Sequence, residues 1–414
     1  MKSCPRLKIA ILCRHNLSHL APGDRVHVYD KIMAFARQAP IILFAPWGHV
    51  SGSMTSQMGI VQVSPAGLRF WLVLILILFL HRNEYDCIYS HDPMLMFFAA
   101  PLKILGKALI LEMNGVPSLR AGLYRRTQKV KVPGLTPLVC LVMRLIEFLV
   151  LRYVDLVLPV TKEMRSNLLR EYGVDARKAI MIPNSVDTMV FRSLENERTR
   201  IRQELGVVNE TVVLYMSTFS ARWRGTEKLF RVVDELQRKR KDIVLLVVGS
   251  GPLLAEIKST TKIEGSSRML FTGAVDHRLV PLYLNAADVY VYDVAQVPRE
   301  LVEKEGSCPS KILESMACGK PVIAPAVPYE IMLRKSNSGL PAHSIEQVGE
   351  LVERFADSPR LARSMGMNGR RYVELNHDLA RLTRYTIELI SKIVSSRRYG
   401  AKGLRPCSID ELGR

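Results

Sequence analysis

The sequence predicts an α/β protein of two doubly wound parallel sheets in series, on three observations. Short β-type apolar runs alternate with longer helical patterns from end to end, the mark of βαβ units whose sheets are covered on both faces. The chain has 414 residues, 48% of them apolar, enough for two substantial cores. The strands also fall into two sets, parted at the segment Val186-Asp-Thr-Met-Val-Phe-Arg-Ser193.

The expected strands of the first set are Lys8–Cys13, Ile41–Ala45, Asp86–Ser90, Ala108–Met113, Leu156–Val160 and Ala179–Ile182. Those of the second are Val212–Met216, Ile243–Val248, Met269–Thr272, Val289–Tyr292 and Pro321–Ala324. The domains are therefore expected at 1–190, completed by a C-terminal helix at 377–395, and at 191–376, with a polar tail at 396–414. Open α/β sheets bind ligands at the carboxyl ends of their strands, so two such domains predict a cleft and an enzyme.

Two apolar stretches need separate treatment. Phe70–Leu80 has 11 apolar residues in a row, short of the ~20 that span a bilayer. It is expected to be a wholly buried helix or one that dips into a membrane interface. In Leu135–Val160 the charges Arg144, Glu147, Arg152 and Asp155 fall on one side of a helix, which predicts an amphipathic helix with a wide apolar face. Between them, Arg120 to Lys131 carries five cations and no acid. The plainer reading is a solvated loop. Its place between two very apolar segments favours contact with an anionic membrane.

The net charge is +19, spread over both halves, which points to a polyanionic partner: nucleic acid, anionic membrane or phosphorylated substrate. Seven cysteines, odd in number and never in a Cys-x-x-Cys pair, fit a reducing cytoplasm and suggest neither zinc nor redox chemistry. The apolar stretch Ile9–Cys13 is shorter than the roughly 7–15 residues of a signal-peptide core and is expected to be the first strand.

The most informative stretch is Cys308-Pro-Ser-Lys-Ile-Leu-Glu-Ser-Met-Ala-Cys-Gly-Lys-Pro-Val-Ile-Ala-Pro325. Pro309 and Ser310 suit a helix start, Gly319 its end, and Pro321 precedes a buried strand. Backbone N–H groups at such a start make a phosphate site, and Glu314 is placed to accept from hydroxyls such as those of a ribose. An ordinary N-terminal carboxylate is the alternative.

In this stretch the chain resembles the family 4 glycosyltransferases, glycosyl transferases group 1, whose fold is GT-B: two Rossmann-like domains facing across a cleft. Pro309 to Ala324 is similar to their donor-binding signature. Val160-Thr-Lys-Glu-Met-Arg-Ser-Asn-Leu168, Ile182-Pro-Asn-Ser-Val-Asp-Thr-Met-Val-Phe191, Val248-Gly-Ser-Gly-Pro252, Phe271-Thr-Gly273 and Tyr283-Leu-Asn-Ala-Ala-Asp288 match in the same order. The resemblance implies a hexosyltransferase that retains configuration, takes a nucleotide-diphosphate sugar, and needs no metal and no other cofactor. It implies donor contacts from Gly249, Ser310, Lys311, Ile312 and Glu314. It also implies cations near the first strand of the second domain: Arg224, with Arg222 or Lys228. Arginine grips phosphate oxygens in a bidentate fashion, so Arg224 preserves the role of the family's usual lysine. Ser217 stands where the family usually has glycine.

The family's two glutamates usually have seven residues between them. Here Glu305 precedes Glu314 with eight between, so either Glu305 reaches the donor sugar through a one-residue bulge or the first glutamate is missing. Tyr89-Ser-His-Asp-Pro93 resembles the family's histidine segment, with His91 near the transferred sugar, accepting from a hydroxyl or assisting proton transfer. Asp92 as a helix cap beside a bystander histidine is the alternative. Leu111-Glu-Met-Asn-Gly115 looks like a segment of polysaccharide-assembling members, making Glu112 and Asn114 acceptor-side candidates. Arg14-His15-Asn16 and Gly23-Asp24-Arg25 line the same mouth.

The expected partners are a nucleotide sugar, a glycan or polyprenyl-linked or other lipid-linked acceptor, and an anionic membrane touched peripherally on its cytoplasmic face. Nucleic acid is not expected, since aromatic residues are only 7%. An NAD(P)-dependent oxidoreductase would want Gly-x-Gly-x-x-Gly after the first strand, and Cys13-Arg-His-Asn-Leu-Ser18 lacks it. A catalytically inactive GT-B scaffold remains a rival because of the altered glutamate spacing.

Overall fold

A computed structural model describes residues 7–14, 25–46, 58–63, 68–127, 137–219, 225–260, 268–293 and 299–399. The chain forms two units, one of Met1–Asn184, Glu300–Gly306 and Leu379–Arg414, the other of Ser185–Arg299 and Ser307–Asp378. The short segment Glu300–Gly306 thus lies with the first unit, although its neighbours in sequence lie with the second.

The first unit holds strands β1 (Ile9–Leu12), β2 (Ile41–Ala45), β3 (Gly59–Gln62), β4 (Cys87–Ser90), β5 (Ala108–Met113) and β6 (Leu156–Pro159), all parallel, in the order β3-β2-β1-β4-β5-β6. Side chains of β1 alternate between two apolar layers, Ala10 and Leu12 entering one and Ile9 and Ile11 the other. The helix Leu379–Tyr399 covers the second layer with Leu382, Tyr385, Leu389, Ile390 and Ile393. Its end is held by Arg397, which donates to Asp155 at 2.9 Å, and by Arg398 on Asp86.

The second unit holds β7 (Thr211–Met216), β8 (Ile243–Val248), β9 (Met269–Phe271), β10 (Val289–Val291), β11 (Val322–Pro325) and β12 (Gly339–Ala342), in the order β12-β11-β10-β7-β8-β9. Counted from its own first strand, this is the order of the first unit. The direction in which successive strands are added therefore reverses between β1 and β4 in one sheet and between β7 and β10 in the other, the crevices where doubly wound sheets bind ligands.

Several expectations need correction. Ala179–Ile182 is not a strand: it bridges β6 only at Ala179, with Ile180 and Ile182 N–H groups donating to Val157 and Pro159 carbonyls, before Pro183 stops further pairing. Strands β3 and β12 were not expected; both are sheet edges, and β12 reads Gly-Leu-Pro-Ala, a composition that normally marks a turn. The helix Leu68–Leu80 is not wholly buried. Phe70, Leu74 and Leu78 face the core while Leu76, Phe79 and Leu80 face out.

The spacing of its charges makes the helix Pro137–Tyr153 amphipathic without saying which side faces the protein. Glu147 points inward, 2% exposed, and accepts from Ser118 N–H at 2.8 Å, Ser118 Oγ at 2.5 Å and Tyr172 hydroxyl at 3.2 Å. Burial raises its pKa against those donors. The apolar residues Leu138, Leu141, Val142, Leu145, Phe148 and Leu149 are the exposed ones, at helical spacing along one face. Among the described residues no helix is long and apolar enough to cross a membrane.

A polar knot ties the second unit together. Asn285 accepts from Leu194 N–H at 2.9 Å, donates to Arg192 and Pro281 carbonyls, and its own carbonyl receives Lys320 Nζ at 3.1 Å. Burial, with Arg198 nearby, pushes the Lys320 ammonium down to about 8. The unfolded chain then holds the extra proton between about pH 8 and the ordinary lysine value near 10.5, so this group makes stability rise with pH across that window. Lys320→Met is expected to remove the rise: between about pH 8 and 9 the wild-type urea midpoint should climb relative to that of the variant. Parallel pH profiles would contradict the assignment.

Candidate functional site

In the second unit the chemistry gathers at the carboxyl end of β7. The helix Ser310–Ala317 starts after Pro309, which is extended and offers its first turn no side-chain cap. Lys311 reaches from that turn to the Met216 carbonyl at 3.1 Å, bringing the helix start to the strand end. Ile312 is fully buried and packs in the core, so it positions the helix and presents no side chain to a ligand. Ser310 is also buried, at the helix's first position. Glu314 is 3% exposed, and its Oε1 lies 3.0 Å from His277 Nε2. The Phe191 ring packs on that imidazole at 5.3 Å.

Gly249 has φ +121°, and a Cβ there would fall 2.0 Å from the Ser217 carbonyl oxygen; one on Gly251 would fall 1.9 Å from that of Thr218. Close backbone approach thus requires both glycines, whether or not Gly249 also touches a ligand. Ser217 shapes the same turn, its Oγ accepting from Phe219 N–H at 3.2 Å, with Phe219 in the left-handed region at φ +45°. Lys228 is exposed on the first turn of the helix Thr226–Lys239. Arg222 and Arg224 lie outside the described residues. In this unit two participants escaped sequence reasoning. Asp293, just past β10, accepts from the Tyr215 hydroxyl at 2.8 Å, and His277 pairs with Glu314. The rule that ligands bind past the carboxyl ends of strands at the chain reversal would have singled out Asp293.

In the first unit the ends of β4 and β5 bring His91 and Glu112 together, with Asn114 two residues further on. Glu112 is 2% exposed. Its Oε2 receives Lys31 Nζ, from the helix Lys31–Gln38, and the Tyr89 hydroxyl; Oε1 lies 3.7 Å from His91 Nδ1. Burial opposes its charge, but the Lys31 ammonium and His91 outweigh burial and hold the carboxyl well below the usual range. Burial and the Glu112 charge push the Tyr89 hydroxyl far up, so it stays a proton donor. This carboxylate, expected to meet an acceptor, is enclosed by protein groups. Asp92 caps the helix Pro93–Ala99 through Met94 N–H at 2.8 Å and pairs with Arg14 at 2.6 Å. His15, Asn16, Gly23 and Asp24 lie outside the described residues, as does the Arg25 side chain.

Glu305 also belongs here. It ends the helix Arg299–Glu305, is 2% exposed, and accepts from Val116 N–H at 2.6 Å and Arg120 Nε at 2.7 Å, while Arg120 also donates to the Asn114 carbonyl at 2.8 Å. Gly306 follows at φ +64°, where a Cβ would meet Glu163 and Thr161. Both carboxylate oxygens are thus engaged inside the first unit, and Arg120 of the expected basic cluster is paired there, its side chain still 55% exposed. Gln128 to Lys131 lie outside the described residues. The described cysteines, Cys13, Cys87, Cys140, Cys308 and Cys318, are free thiols; burial pushes Cys318 up to about 12. Among the described residues no cluster of His, Cys, Asp and Glu could hold a metal ion.

Paired doubly wound sheets of one strand order, each with polar groups at its chain reversal, define the GT-B class. Solved structures agree on the fold: sucrose-phosphate synthase from Thermosynechococcus elongatus has a TM-score of 0.71 at 19% identity, over 94% of this chain and 100% of that one. Anabaena HepE in complex with UDP and glucose has 0.68 at 17%, over 93% and 99%. Residues 23–190 match the family model described as Glycosyltransferase Family 4 and residues 210–357 that described as Glycosyl transferases group 1. The chain belongs to these glycosyltransferases, which removes the NAD(P)-dependent alternative. It is similar to the GDP-mannose-dependent alpha-(1-6)-phosphatidylinositol monomannoside mannosyltransferase of Mycolicibacterium smegmatis, 28% identical over 223 residues, 53% of this chain and 57% of that protein. The first curated relatives are spanned over only 54% to 61% of their length.

Proposed function

We propose that the protein transfers a hexosyl group from a nucleotide-diphosphate sugar to a glycan or lipid-linked acceptor, with retention, without a metal or other cofactor, at the cytoplasmic face of a membrane. The observation that carries this is the helix Ser310–Ala317, whose start is tied to the end of β7 by Lys311 and which bears the buried Glu314. Helix N–H groups, Lys311 and the cations Arg222, Arg224 and Lys228 would meet the charge of the departing diphosphate, and Glu314 would take the ribose hydroxyls. Among similar proteins, one is named for a phosphatidylinositol mannoside and another, from Streptococcus pneumoniae, as an alpha-monoglucosyldiacylglycerol synthase. The reading is tested by incubating the full chain with UDP-, GDP- and ADP-sugars and a lipid extract, following nucleotide release and glycosylated product. The burial of Glu305 favours one rival, the inactive scaffold, which predicts binding of a nucleotide sugar with no turnover of any.

The membrane contact rests on the helix Pro137–Tyr153. Its outward apolar face is flanked by Arg144, which is 62% exposed, and by Arg152, stacked over Phe148 at 5.1 Å. Each leucine moved from water into lipid contributes roughly 1.5–3 kcal/mol, and nearby cations add attraction to anionic headgroups. Liposome flotation should show salt-sensitive binding that needs anionic lipid and is lost in Leu141→Asp/Leu145→Asp. Arg125→Gln/Arg126→Gln should weaken it. Binding indifferent to both pairs would overturn this contact.

A further inference from the structure

Among the described residues, three buried side-chain atoms at the ends of β4 and β5 have no hydrogen-bond partner: His91 Nδ1, His91 Nε2 and Asn114 Oδ1. Leaving a polar group buried and unpaired costs about 1–3 kcal/mol, so three together mark a place where further hydrogen bonds form. The site beneath them is built. Glu112 gives one oxygen to the Lys31 ammonium and the Tyr89 hydroxyl, which leaves Oε1 toward His91. The Tyr89 ring meets the imidazole edge-on at 5.4 Å and 88°, fixing its plane.

The separation of 3.7 Å between Glu112 Oε1 and His91 Nδ1 is longer than a formed hydrogen bond. Hydrogen bonds of this kind tighten in the substrate complex. An ionised carboxylate only accepts hydrogen bonds, so the ring nitrogen that faces it must carry the proton. Lys31 keeps the carboxylate ionised and therefore an acceptor.

We propose that Glu112 is a positioning residue that holds His91 in the tautomer protonated at Nδ1, with Lys31 as its counter-ion. His91 Nε2 and Asn114 Oδ1 are then two acceptors presented at adjacent strand ends, suited to neighbouring hydroxyls of a sugar. The hydroxyl ligand rests on the sugar-transfer reading above; the tautomer does not, so the two fail separately.

The test is the ring nitrogen spectrum of the full chain labelled at histidine, recorded at about pH 8, above the ordinary imidazole range. Loss of one resonance set in His91→Gln assigns His91 among the nine histidines. The expected wild-type state is the Nδ1–H tautomer. In Glu112→Gln the Lys31 and Tyr89 donors claim the carboxamide oxygen, turning its NH2 toward His91, and the ring should switch to Nε2–H. A wild-type ring protonated at Nε2 or at both nitrogens, or a tautomer unchanged in folded Glu112→Gln, overturns the proposal. If Glu112→Gln does not fold, Lys31→Met/Glu112→Gln, which strands no charge, should lose the Nδ1–H preference; keeping it overturns the proposal equally.

Discussion

Lys31→Met is expected to destabilise the protein by about 3–5 kcal/mol at neutral pH, the cost of stranding a buried partner charge. Lys31 and Glu112 are 7% and 2% exposed, and the ammonium is the only cation bonded to that carboxylate among the described residues. The Tyr89 hydroxyl remains as a donor but brings no charge. The sign of the pH dependence should change as well. In the wild type the carboxyl is depressed, so its contribution is present above the ordinary glutamate range near 4.5 and fades as pH falls through its lowered folded value. Without Lys31, burial dominates and the folded pKa rises, so the variant gains relative stability in acid and loses it as pH climbs past the unfolded value. Urea denaturation at neutral and acid pH measures both effects. Lys31→Met/Glu112→Gln should recover most of the loss, because no unpaired charge remains. A loss below about 1 kcal/mol for the single variant would show that water already solvates Glu112.

The contrast between what sequence reveals and what it hides follows the range of the interactions. Strands such as Ile9–Leu12 and Ile243–Val248 announce themselves through consecutive apolar, largely branched residues buried on both faces. The helix Ser310–Ala317 is bracketed by Pro309 and Gly319, and those local signals suffice. For the helix Pro137–Tyr153, periodicity locates a face without saying which way it points. Its orientation is decided by Ser118 and Tyr172, which receive Glu147 inside. Glu305 follows the same logic. Its spacing to Glu314 is a local property, whereas the groups that bind its carboxylate, Val116 N–H and Arg120, lie 189 and 185 residues earlier. Lys31 and His277 were missed for the same reason: each is an isolated residue whose meaning comes from a carboxylate brought to it by the fold.

Glu314→Ala should lower kcat/KM with an established donor by about 100-fold or more. A hydrogen bond to a charged group contributes about 1.5–3 kcal/mol, and a ribose offers two hydroxyls to one carboxylate, so the loss of both spans roughly two or more powers of ten. His277 engages Oε1 at 3.0 Å, which orients the carboxylate and leaves Oε2 as the other acceptor. Glu314→Gln keeps the shape but replaces an acceptor oxygen with a donor NH2, and should fall between wild type and alanine. The alanine variant also takes one partner from the buried His277, so activity must be compared on protein shown to be folded by its urea midpoint. His277→Phe separates the two contributions. It removes the orienting partner but leaves the carboxylate, so it should raise KM for the donor several-fold, with kcat less affected than in Glu314→Ala. If folded Glu314→Ala turns over the donor at the wild-type rate, Glu314 does not hold the nucleotide and the helix Ser310–Ala317 is not the donor site.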